Sequence, residues 1–79
     1  MVPNVSVLIA ARNERHLPRM VAHLHERLTG DYEIVIVQDG APYQSLPNHP
    51  RLRVFDREYT GLKPSINFAA EQALGKYLL

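Results

Sequence analysis

The chain has 79 residues, 46% of them apolar and 22% charged, with a net charge of +1 and no cysteine. That length suits one small domain, and the scattered Lys and Arg give no basic face of the kind a nucleic-acid binder needs. The lack of thiols excludes disulfides and thiolate metal sites, and no apolar run approaches the ~20 residues that cross a bilayer.

From the amino terminus, Val5-Ser-Val-Leu-Ile-Ala10 is short and rich in branched residues, and reads as a buried strand. Arg12-Asn-Glu14 breaks it with a polar turn. Leu17, Met20, Val21, Leu24 and Leu28 then recur at helical spacing, which predicts an amphipathic helix from about His16 to Leu28. Pro18 falls near its start, where a missing N–H is harmless, and Gly30 is the expected left-handed stop.

Glu33-Ile-Val-Ile-Val-Gln38 is a second buried strand, ended sharply by Asp39-Gly-Ala-Pro42. The stretch to Pro50 is a loop with room for one short helical turn. Arg51-Leu-Arg-Val-Phe-Asp56 alternates polar and apolar, as expected for a strand with one wetter face near a sheet edge. Pro64 fits the first position of a second helix, whose apolar face is Ile66, Ala69, Ala70, Ala73 and Leu74 and whose closing cap is Gly75. Lys76–Leu79 opens a fourth strand.

The order β–α–β–β–α–β predicts an α/β, Rossmann-like domain with a mainly parallel sheet, flanking helices and right-handed crossovers. In such sheets ligands bind at the carboxyl ends of strands, near a reversal of strand order. Ala10 to Glu14 and Asp39–Gly40 are the segments so placed. Small Ala10 and Ala11 admit a flat ring, and the two oxygens of Asp39 suit an imide N–H or ribose hydroxyls. Taken without context, Asp39–Gly40 is equally a turn, Glu14 a residue favoured by a helix start, and Arg12 a solvated turn residue.

Val5-Ser-Val-Leu-Ile-Ala-Ala-Arg-Asn-Glu14 resembles the opening strand and turn of family 2 glycosyltransferases with the GT-A fold. Glu33-Ile-Val-Ile-Val-Gln-Asp-Gly40 is similar to the family's next strand, Gly61-Leu-Lys-Pro-Ser-Ile-Asn67 to its Gly-Lys-x-x-Ala-Leu-Asn segment, and Ala73-Leu-Gly-Lys-Tyr77 to its Gly-x-Tyr ending. The resemblance implies that Ala10, Ala11, Arg12 and Glu14 line a nucleoside pocket. It implies that Asp39, followed by Gly40, contacts the base (usually uracil) or the ribose, and that Lys63 and Asn67 face the diphosphate. Relatives often carry proline where Ala10 stands and tyrosine where Arg12 stands, and Leu62 here separates Gly61 from Lys63.

By the same resemblance, the parent enzyme moves a sugar from a nucleotide-diphosphate donor, UDP-linked, to an acceptor hydroxyl, by single displacement with inversion. Its Mg²⁺ or Mn²⁺ is held by an Asp-x-Asp motif that would follow the fourth strand. Residues 1–79 are therefore expected to be the nucleotide-binding front of the domain, incomplete at the carboxyl end. On that expectation the chain has no catalytic residue and no metal of its own, and is inactive in isolation. The expected location is the cytoplasm, or the cytoplasmic face of a membrane in a longer parent.

Four other readings compete. Asp39 at a strand end suits a dinucleotide-binding domain, but Ala-Ala-Arg-Asn-Glu lacks the glycines of a pyrophosphate loop; a phosphate-loop nucleotide hydrolase fares worse, because Thr60-Gly-Leu-Lys-Pro-Ser65 lacks the phosphate-loop spacing. His16, His23 and His25 are poorly spaced for zinc. A non-catalytic, transferase-like module that binds a partner or self-associates through an open sheet edge is the remaining alternative.

Overall fold

Tyr32–Asp39, eight consecutive buried residues, forms the strand around which the rest is arranged. In the computed structural model, which describes residues 3–79, the elements are β1 (Val5–Ala11), α1 (Leu17–Arg27), β2 (Tyr32–Asp39), β3 (Leu52–Arg57), α2 (Leu62–Gln72) and β4 (Tyr77–Leu78). The four strands make one all-parallel sheet in the order β3-β2-β1-β4. The chain steps outward from β1 to β3, and α2 then carries it back to the far side of β1. Strand order therefore reverses between β1 and β4.

Side-chain alternation along β2 divides the core into two layers. Tyr32, Ile34 and Ile36 pack with Leu17 and Val21 of α1, supported by Val7, Ile9 and Leu24. Val35 and Val37 point the other way, onto Ala69 of α2, with Leu8, Phe55 and Phe68 around them. Each of the four fully buried Ile and Val side chains of β2 contributes about 1.5–3 kcal/mol by leaving water. Among the described residues no helix is long and apolar enough to cross a membrane.

The connection from β2 to β3 contains no helical turn. Gln38 organises it: the side-chain amide donates to the Gln44 carbonyl (2.8 Å) and to Asp56 Oδ1 (3.0 Å). The Gln44 amide donates back to Gln38 Oε1 (2.7 Å). Leu46 from this loop then packs on the α1 layer. β3 lies at the edge as expected, but its faces differ from the simple alternation. Val54 is exposed, whereas Arg53 turns inward to a buried carboxylate.

That carboxylate belongs to Glu33. Its Oε2 accepts from the Ser6 hydroxyl (2.6 Å) and the Leu74 amide (2.6 Å), and Arg53 Nε donates to Oε1 (3.1 Å). Arg53 also donates to the Gln72 carbonyl, and the Gly75 amide donates to Ser6 Oγ (2.8 Å). Burial pushes the Glu33 carboxyl up, but Ser6, Leu74 and Arg53 together outweigh it and hold the pKa below the usual glutamate range. The end of α2 is thereby pinned to the amino ends of β1, β2 and β3.

Gly75 does not close α2 as a left-handed cap. The helix ends at Gln72, with Ala73 in extended conformation. Gly75 is instead a point of close approach: a β-carbon there would lie 2.4 Å from Ser6 Oγ and 2.7 Å from the Ser6 backbone nitrogen. Gly75→Ala is expected to cost about 1–3 kcal/mol through forced displacement of the Ser6 backbone, read as a lower urea midpoint.

On the opposite face His25 stacks on His49 at 3.8 Å and its Nδ1 lies 2.8 Å from the Tyr32 hydroxyl. Burial first, then the nearby His49 and Arg51, lowers the His25 pKa. The unfolded chain takes up a proton near pH 6.5, the ordinary histidine value, which the folded chain resists, so stability falls with pH from there. Glu33, whose folded pKa is also depressed, contributes fully above about pH 4 and loses that contribution below it. The urea midpoint is expected to decline gently below about pH 6.5 and steeply below about pH 4. His25→Gln should remove only the upper decline.

Candidate functional site

β1 and β2 are adjacent and parallel, with Ala11 opposite Gln38, so Arg12 and Asp39 leave neighbouring strands at the same end of the sheet. The turns predicted to form one cleft therefore meet. Ala10 and Ala11 are half-buried at the end of β1, and Arg12 is exposed just beyond it. Glu14 is engaged locally, its Oε1 accepting from the His16 amide (3.0 Å) immediately before α1.

Asp39 is 4% exposed, and most of its hydrogen-bonding capacity is taken by the chain itself. Oδ1 accepts from the Thr60 amide (2.7 Å) and hydroxyl (3.2 Å), and Oδ2 from the Gly61 amide (2.9 Å). Burial raises its pKa. The Thr60 and Gly61 amides, with the Ser65 and Thr60 hydroxyls, more than offset this and hold Asp39 ionised below the ordinary aspartate value. An anion at the start of α2 is also favoured by the unpaired amides of the first helical turn. The Thr60 and Gly61 amides and the Thr60 and Ser65 hydroxyls take up the roughly four acceptor sites of the carboxylate.

Gly40, at φ +96°, follows Asp39 because the chain must pass close under Tyr59. A β-carbon at residue 40 would meet Tyr59 Cβ at 3.1 Å. The Tyr59 ring in turn lies under the Arg12 guanidinium, 4.2 Å from Cζ to the ring centre. Residues from the ends of β1 and β2 and from the loop before α2 thus form one continuous wall.

Lys63 is exposed on the first turn of α2, joined to this wall through Gly61 and Asp39. Asn67 is exposed one turn further along. Among the described residues, Arg12, Arg57 and Lys63 have no carboxylate within 4.0 Å. Nor do three His, Cys, Asp or Glu side chains assemble among the described residues as a metal ion requires. Sequence reasoning missed Tyr59 and Thr60. They lie about twenty positions from Asp39 and Gly40, and no spacing rule joins a loop residue to a strand end across that separation.

In Rossmann-like α/β domains ligands bind at the carboxyl ends of parallel strands, close to a reversal of strand order, and here that end carries Arg12, Tyr59 and Lys63. A family model described as Glycosyl transferase family 2 matches residues 6–79. The chain belongs to this family, and its four parallel strands and two helices are consistent with part of the GT-A fold. No curated protein gives a significant match to the chain.

Because Asp39 is the acceptor that orders residues 60 and 61, Asp39→Ala is expected to speed hydrogen exchange at the Thr60 and Gly61 amides about tenfold or more. The amides of β2 should be little changed. Amide exchange followed by NMR separates the two regions.

Proposed function

We propose that the cleft binds the nucleotide part of a sugar donor, UDP-linked, for transfer of the sugar to an acceptor hydroxyl by the parent enzyme. The supporting observation is the meeting of the β1 and β2 ends beside cations that have no carboxylate partner. Ala10, Ala11, Arg12 and Glu14 form the nucleoside side in this reading. Asp39 and Gly40 shape its floor, Asp39 by holding the backbone at Thr60 and Gly61. Lys63 and Asn67 stand toward the diphosphate, where a compact ammonium and the start of a helix both favour anions.

The described residues do not fit a divalent cation: no three ligands assemble, and Asp39 is engaged by Thr60 and Gly61. Mg²⁺ or Mn²⁺ is proposed for an Asp-x-Asp segment of the parent enzyme. The residues described bind and orient the donor, and none is assigned as the base. A cytoplasmic setting, compatible with a cysteine-free chain, belongs to the same proposal.

Calorimetric titration of the chain with uridine diphosphate tests the reading. Lys63→Ala and Arg12→Ala should each weaken binding about 3–10-fold, and added salt should weaken it further. Binding indifferent to both substitutions would remove the cleft from consideration.

A second reading is self-association through the β4 edge, supported by the exposure of Tyr77 (57%), Leu78 (50%) and Leu79 (73%). A sedimentation coefficient independent of concentration would exclude it.

A further inference from the structure

We propose that Tyr59 is the platform on which the base of the nucleotide stacks; this rests on the nucleotide reading of the cleft. Three observations converge on it. Tyr59 is 59% exposed even with the Arg12 guanidinium over its ring, so much of its aromatic surface remains open to a ligand. Its backbone is fixed from beneath by Gly40, which has no side chain to push it away. The next two residues, Thr60 and Gly61, are held by Asp39 through both carboxylate oxygens.

Asp39 and Tyr59 then divide the work. Asp39 is nearly inaccessible and has most of its acceptor capacity occupied, which makes it a positioning residue for the loop. Tyr59 is accessible, planar and held at its backbone, and a ring so placed loses little freedom when a flat heterocycle lies against it. Arg12 is exposed, and its guanidinium over the ring supplies the second layer of the stack. The loop between β3 and α2 thereby supplies the aromatic surface that the turn after β1, with Arg12, does not.

The test compares uridine diphosphate with inorganic pyrophosphate, which has no base, on the wild-type chain and on Tyr59→Ala, Tyr59→Leu and Tyr59→Phe. Tyr59→Ala and Tyr59→Leu should weaken uridine diphosphate about tenfold or more. Tyr59→Phe should bind within about twofold of wild type, and pyrophosphate affinity should be the same throughout. In NMR spectra the uracil ring protons should shift upfield on binding to wild type and to Tyr59→Phe only. Retained exchange protection at Thr60 and Gly61 verifies that the loop is intact in each variant.

If uridine diphosphate binds wild type and Tyr59→Ala equally, stacking is overturned while the nucleotide reading stands. Equal loss of both ligands in Tyr59→Ala would also overturn it, by tracing the effect to loop placement. If uridine diphosphate does not bind wild type, both readings fail together.

Discussion

Helix α2 is tied to the sheet at each end by a carboxylate from one face of one strand. Glu33 receives the Leu74 amide beyond the end of the helix and Asp39 the Gly61 amide at its beginning. A buried charge is costly unless its hydrogen-bonding capacity is met, and both residues are met almost entirely by partners that only the folded chain provides. The apolar contacts of Val35, Val37 and Ala69 hold the layer together. The carboxylates set where along the sheet the helix lies, which apolar contact alone specifies poorly. Because α2 also carries the chain to β4, the same two groups place the reversal of strand order that creates the cleft.

Much of this was legible in the residues. The two buried strands, both helices and their order were given by branched runs and helical spacing, and the edge position of β3 by its alternation. What those patterns do not encode is polar pairing between elements distant in sequence. Arg53 reads as solvent-facing in an alternating strand, yet it turns to Glu33, twenty positions away. Gly75 reads as a helix stop, yet its lack of a side chain answers to Ser6, sixty-nine positions away. In each case the short-range rule was sound, and a long-range contact that it does not contain prevailed.

The same limit governed the cleft. Strand ends are predictable from sequence, and neighbouring parallel strands bring theirs together, so Arg12 and Asp39 could be placed at one end. Which group would face outward was not predictable. Asp39 has the chemistry of a ligand acceptor but is turned to the backbone of Thr60 and Gly61, and Tyr59, unremarked in a loop, occupies the accessible position beside Arg12. Membership of glycosyltransferase family 2 is consistent with this parallel-sheet arrangement.

The six-residue interval between Glu33 and Asp39 has an evolutionary corollary. Side chains alternate along a strand, so an even interval keeps both groups on the α2 face. Loss or gain of a single codon between them would rotate one carboxylate into the hydrocarbon layer formed with Leu17 and Val21. A change of two would keep both carboxylates on that face but slide one of them about 6–7 Å along the strand, away from its end of α2, so the interval is fixed both in parity and in length.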